Sequence, residues 1–129
     1  MLSFDAPHSR KYAAPAIAPK PARDEADVSP LKCAACGHVI THGSSRLEVE
    51  CRHVHFRLNP HAFAFIFGCF SSAPGCLVQG VPTEEATWFS GYRWQFAHCA
   101  QCLVHLGWAF TGAQAFSALL LERLVDERP

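Results

Sequence analysis

The chain has 129 residues, half of them hydrophobic, and eleven basic side chains balance eleven acidic ones. That length is one domain's worth with enough apolar content for a buried core, and the balanced charge gives no broad basic field for gripping phosphates, which argues against nucleic acid as a partner. No apolar run is long enough to span a bilayer, and the N-terminus lacks the charged-then-apolar layout of a secretory signal. The expected compartment is therefore cytoplasmic, with no membrane partner. Reducing conditions there make a C-x-x-C pair a metal or redox device rather than a structural disulfide.

In chain order, residues 1–30 are rich in Pro and Ala, and Pro7, Pro15, Pro19, Pro21 and Pro30 interrupt any helix or ladder. This stretch is expected to be a disordered leader, leaving 31–129 as the folded domain. Cys33-Ala34-Ala35-Cys36-Gly37 opens that domain with the pattern of a metal knuckle: two thiolates aimed at one ion and a glycine that lets the chain turn.

Arg46 to Cys51 alternates polar and apolar residues, which is a strand period. The apolar phase then slips to Val54, Phe56 and Leu58, so a turn or bulge is expected near Arg52 and His53 between two short antiparallel strands. Asn59-Pro60-His61 reads as a turn. Phe63, Phe65, Phe67 and Cys69 continue with period two. Ser71 to Gly75 is a second turn, Leu77 and Val78 form a short strand at most, and 81–87 is a loop. Tyr92, Trp94 and Phe96 share one strand face, and Leu106, Trp108 and Phe110 share another. Between them lies a second knuckle, Cys99-Ala100-Gln101-Cys102. In the tail, Phe116, Leu119, Leu120 and Leu124 fit a helical stripe, while the short apolar run also suits a strand; local composition tips 113–125 toward helix. The fold class is mostly β.

Two C-x-x-C pairs supply four soft thiolates, the tetrahedral set that zinc prefers. With Cys33, Cys36, Cys99 and Cys102 as ligands the site is closed and structural. The competing reading is redox thiols or free core cysteines. His98 and His105 flank the second knuckle but are unnecessary as ligands. Cys51, Cys69 and Cys76 read as small buried hydrophobes rather than catalytic thiols.

All three tryptophans, Trp88, Trp94 and Trp108, fall within one stretch together with Phe110. They read either as plain core or as a box whose flat walls sandwich a small ring or a cation, with indole N–H groups as spare donors. A methylated ammonium guest would want carboxylates, which Glu84 and Glu85 can supply. A planar imide would want backbone donors and acceptors, which Ala86 can present.

The motifs C-A-A-C-G, L-N-P-H, G-V-P-T-E-E-A-T-W-F-S-G-Y-R-W and C-A-Q-C-L-V-H-L-G-W-A-F, in that order, resemble the CULT domain, the thalidomide-binding domain of cereblon, and especially its stand-alone bacterial relatives. The resemblance covers roughly residues 31–125. It implies a β-tent of two small antiparallel sheets pinned by a four-cysteine zinc site. It also implies a cage in which Trp88, Trp94 and Trp108 hold a glutarimide or similar cyclic imide, free or as an imide-bearing peptide end, with uridine as a further candidate. Phe110 would close one side, and the Ala86 backbone and the Trp88 indole would hydrogen-bond the imide. Asn59, Pro60 and Phe65 would line or cap the pocket. No catalytic residue is implied, and no ligase partner is expected from this chain alone. Ser90 and Ala62 depart from the family pattern, which has Pro and often Gly there. Two other functions stay open: a methionine sulfoxide reductase-like enzyme using a free cysteine, and a reader of methylated ammonium groups.

Overall fold

The computed structural model describes residues 19–21 and 27–126. Among these the strands are β1 (Lys20–Pro21), β2 (Pro30–Cys33), β3 (Val39–His42), β4 (Arg46–Glu48), β5 (Val54–Leu58), β6 (Ala64–Phe70), β7 (Cys76–Thr83), β8 (Arg93–Cys99), β9 (His105–Thr111), β10 (Phe116–Leu120) and β11 (Leu124–Asp126). They form two antiparallel sheets, as the resemblance implies. The larger runs β1-β4-β6-β10-β9-β8-β7, with β5 also on β6, and the smaller runs β11-β2-β3. Within the stretch expected to be a leader, Lys20–Pro21 pairs with β4, and the Asp27 carboxylate accepts from the buried Arg46 guanidinium at 3.2 Å. The rest of that stretch up to Ser29 lies mostly outside the described residues.

The phase slip after Glu48 is real, but the two strands do not pair with each other. Leu47 opposes Cys69 and Val54 opposes Gly68, so β4 and β5 lie in line along one edge of β6, with residues 48–53 looped out between adjacent rungs. A tight turn closes that loop: Val49 and Arg52 exchange backbone bonds, and Glu50 and Cys51 both adopt left-handed φ values of 53° and 70°. Two consecutive left-handed residues are the signature of a type I′ turn.

The tail corrects the helical expectation. Phe116–Leu120 is a strand that pairs with both β6 and β9. It is covered on both faces, with Phe116, Ala118 and Leu120 against one apolar cluster and Leu119 against the other. A strand buried on both sides loses its polar alternation, so four leucines and phenylalanines at helical spacing imitate a helix stripe. β7 is likewise longer than expected and takes up Val81–Thr83 from the expected loop. Leu77, Val78 and Val81 are exposed on this edge strand, and Gly80, at φ 97°, marks a bulge where the register shifts. Nothing in such a pattern separates strand from loop.

The core divides in two. One cluster, around Leu31, Ile40, Phe70, Leu106 and Leu119, joins the small sheet to the large one beside the cysteines. The other, around Phe67, Phe89, Phe110, Phe116 and the three tryptophans, fills the far end.

Candidate metal centre and aromatic site

Cys33 ends β2 on the small sheet and Cys99 ends β8 on the large one. Cys36 and Cys102 follow in the turns after each. The two turns are built alike. Gly37 N donates to Cys33 O and Leu103 N to Cys99 O, both at 2.8 Å, while Cys33 N and Cys99 N donate to His38 O and Val104 O. Each turn closes on a left-handed residue, Gly37 at φ 82° and Leu103 at φ 67°.

All four sulfurs lie within 4.8 Å of one another, with Cys33 Sγ 3.7 Å from Cys102 Sγ and Cys36 Sγ 3.6 Å from Cys99 Sγ. A tetrahedral ion bound at about 2.3 Å to each sulfur spaces its ligands about 3.8 Å apart. The four thiols, brought together across 69 residues of chain, therefore fit such an ion with no ligand missing.

The group of four ligand atoms holds neither histidine beside the knuckle. His105 Nε2 bonds Gly107 O at 2.9 Å, and its ring meets Trp108 edge-on at 5.1 Å. It thus links the metal end to the aromatic end, a contact that spacing does not reveal. Of the remaining cysteines, Cys69 is fully buried and Cys76 partly so. Burial pushes both thiols up to about 12, far from a thiolate nucleophile at neutral pH. Cys51 is exposed rather than buried.

The three tryptophans share one buried cluster. Trp88 and Trp108 stand nearly perpendicular, with centroids 4.9 Å apart and an interplanar angle of 83°. Phe65, from the β5–β6 hairpin, rests on both, at 5.9 Å from Trp88 and 5.2 Å from Trp108. Trp88 Nε1 donates to Leu58 O on the same hairpin over 3.4 Å, a long bond. Trp94 packs edge-on against Phe96 at 5.1 Å and donates its Nε1 to Glu85 O at 2.9 Å. Trp108 Nε1 is buried with no hydrogen-bond partner.

Ala86 packs against the cluster with φ 54°, a left-handed backbone in the loop that leads to Trp88. Phe110 belongs to the same cluster, but its rings of contact are Phe116, stacked at 5.2 Å, and Phe89, edge-on at 5.0 Å. Asn59 shapes the hairpin tip: its Oδ1 accepts from His61 N and Phe63 N, both at 2.9 Å. Pro60 sits half-buried beside it. Ala62, where the related pattern often has Gly, takes φ 66°.

Behind Trp88 lies a layer that motif reading misses. Phe67 stacks on Trp88 at 5.3 Å and His55 stacks on Phe67 at 5.5 Å. Period-two burial marks Phe67 as core, but only the cross-strand register places His55 behind it. Of the carboxylates that a cation guest would need, Glu84 is engaged by Arg93 at 3.4 Å and both Glu84 and Glu85 are exposed.

Fold and site define a class: a two-sheet β domain tied by four cysteines and carrying a buried aromatic cluster. Chicken (Gallus gallus) cereblon is 35% identical over 57 residues, 44% of this chain and 13% of that protein. Xenopus tropicalis cereblon is 33% identical over 57 residues, and Drosophila willistoni cereblon 34% over 61. No family model matches the chain. The chain carries a cereblon-like domain, and the match spans only 13% and 10% of the chicken and fly proteins. No helix of the described residues is long and apolar enough to cross a membrane.

Proposed function

We propose that this chain is a non-enzymatic, cytoplasmic binding module whose tryptophans hold a cyclic imide of the glutarimide type, free or at a peptide end, in a domain pinned by structural zinc. The observation that carries this reading is the pairing of the perpendicular Trp88 and Trp108 rings with an unpartnered, buried indole donor on Trp108. A buried polar group without a partner costs about 1–3 kcal/mol, and a polar guest that reaches it recovers that cost. Two perpendicular aromatic walls suit a small flat ring better than a chain.

The hairpin closes the site. Phe65 occupies the space against both rings, and Leu58 O takes the Trp88 indole through a bond near the limit of useful length. An entering imide displaces Phe65 and takes over the Trp88 donor, while the left-handed backbone at Ala86 offers its N–H and C=O to the imide edge. Zinc at the cysteines holds the ends of β2 and β8 in place and takes no part in ligand binding. No ligase contact is assigned to this chain alone. The reductase-type alternative is not favoured by the two non-metal thiols inside the fold, which burial holds protonated, and has only the exposed Cys51 left. For the methyl-ammonium reading, Glu84 is engaged by Arg93, and Glu85, whose backbone carbonyl takes the Trp94 indole, has an exposed side chain.

A tryptophan fluorescence titration with glutarimide, against succinimide, uridine and trimethylammonium, tests the proposal. All three tryptophans report on the site. A saturable response to the imide, nearly independent of salt because a neutral guest releases few counterions, is expected. Response only to the cation, or none with zinc bound, overturns it.

A further inference from the structure

Cys76 is a fifth thiol beside the metal knot that neither the four-cysteine set nor the aromatic site uses. It opens β7, and the ladder sets it directly opposite Cys99. On the adjoining rung Ala100 N donates to Gly75 O at 2.9 Å, and Cys76 N turns away to Ala73 O. Rungs alternate in an antiparallel ladder, so Cys76–Cys99 is a non-hydrogen-bonded pair. Such pairs bring Cα atoms to about 4.5 Å with both side chains on one face, inside the span of about 4.4–6.8 Å that a disulfide needs. Cys76 also packs on the apolar cluster that holds Cys33 and Cys99. Cys102, in contrast, is exposed, so an oxidant meets the knot there first.

We propose that Cys76 and Cys99 form a redox-modification site, in which peroxide oxidation begun at Cys102 is stored as a Cys76–Cys99 cross-strand disulfide and the knot loses its metal. The Cys102 thiolate attacks one oxygen of hydrogen peroxide, the O–O bond breaks, hydroxide leaves, and Cys102 becomes a sulfenic acid. The Cys99 thiolate attacks that sulfur, the S–O bond breaks, and a second hydroxide leaves a Cys99–Cys102 disulfide. Cys76, slow to ionise because it is partly buried, then gives up its proton and attacks Cys99 Sγ as the thiolate. The new S–S bond forms, the old one breaks, and the Cys76 proton passes to the departing Cys102 sulfur. Two electrons reach one peroxide, and a dithiol reverses the change. The last step is an uncatalysed exchange, on the order of minutes to hours. This inference rests on the four-cysteine knot and not on the imide reading.

The test is peptide mapping of the zinc-loaded chain after hydrogen peroxide, with free thiols alkylated and released zinc read by a chromogenic chelator. The expected result is a Cys76–Cys99 linked peptide, loss of the zinc, and recovery of both on adding dithiothreitol and zinc. In Cys76→Ser the oxidation should stop at a Cys99–Cys102 link or run on to sulfinic acid. A wild-type map in which Cys76 stays alkylatable while the four knot cysteines crosslink among themselves overturns the proposal. That map does not depend on any variant folding.

Discussion

Leu103 does at the second knuckle what Gly37 does at the first. It sits at φ 67° with its side chain largely exposed, so it carries left-handed strain with little packing in return. Leu103→Gly should therefore stabilise the fold by about 1 kcal/mol, less the entropy that glycine adds to the unfolded chain, read as a higher urea midpoint with unchanged slope. His55 carries an opposite kind of residue-scale tension. It is 2% exposed, stacked on Phe67, with Nε2 against Arg52 O. Burial, aided by the Arg57 charge, lowers its pKa to about 4. Above the unfolded value of about 6.5 both states are neutral and stability is full. As pH falls from there, the unfolded chain takes up a proton that the folded one refuses, and stability is lost until about pH 4. At pH 5 the loss from this group is about 2 kcal/mol relative to pH 7. His55→Phe should flatten the difference between urea midpoints at the two pH values. An unchanged pH slope would show that His55 is not the titrating group. The cysteines and tryptophans were legible because their chemistry announces itself in spacing. His55 and Leu103 were not, because a stack and a left-handed φ arise only once the chain is folded.

At the scale of elements, the aromatic site depends on how closely β9 and β10 approach. Gly107 is buried on β9 opposite Leu119, and a Cβ there would collide with the Ala118 carbonyl oxygen. The collision is with backbone, which cannot swing away as a side chain can. Gly107→Ala should force these strands apart, cost more than about 2 kcal/mol as overpacking of this kind does, and shift Trp108, the next residue along. Thermal unfolding checks the stability, and the tryptophan emission of the folded protein checks the shift. Gly107 stood in the sequence as one more small residue between His105 and Trp108. Its role becomes visible only when β10 is recognised as a strand, where the apolar pattern had favoured a helix. The in-line arrangement of β4 and β5 was hidden for a related reason. Periodicity reports which face a residue takes, but not which neighbour it pairs with, and a six-residue loop-out between adjacent rungs leaves no mark on either period.

For the whole molecule, the question is what holds two sheets of unequal size together. The small sheet has three strands and meets the large one through the cluster of Leu31, Ile40, Phe70, Leu106 and Leu119, with Cys33 and Cys99 as members of that same cluster. Arg46, bonded to Asp27 at 3.2 Å and Asp126 at 2.7 Å, adds a polar tie at a second point. A buried ion pair contributes little net stability, because desolvation offsets most of its attraction. The sequence offered two C-x-x-C pairs that together make one four-thiolate set, and the fold brings residues 33 and 102 into one site. The resemblance implied two sheets pinned at that site, and Cys33 on β2 and Cys99 on β8 do come from different sheets, so a metal held there would tie the halves and not clasp one of them. Metal binding releases about 10–16 kcal/mol in simple zinc-finger peptides, comparable to the whole stability of a small domain. Stripping the metal with a strong chelator should therefore unfold the small sheet and, through the shared cluster, the large one. Far-UV circular dichroism should lose its strand signal and the tryptophan emission should move to the red, both recovering when zinc is restored. If instead the apo protein kept its strands and its buried tryptophan emission, the apolar cluster alone would suffice to join the sheets, and the four cysteines would be a binding site on a fold that stands without them.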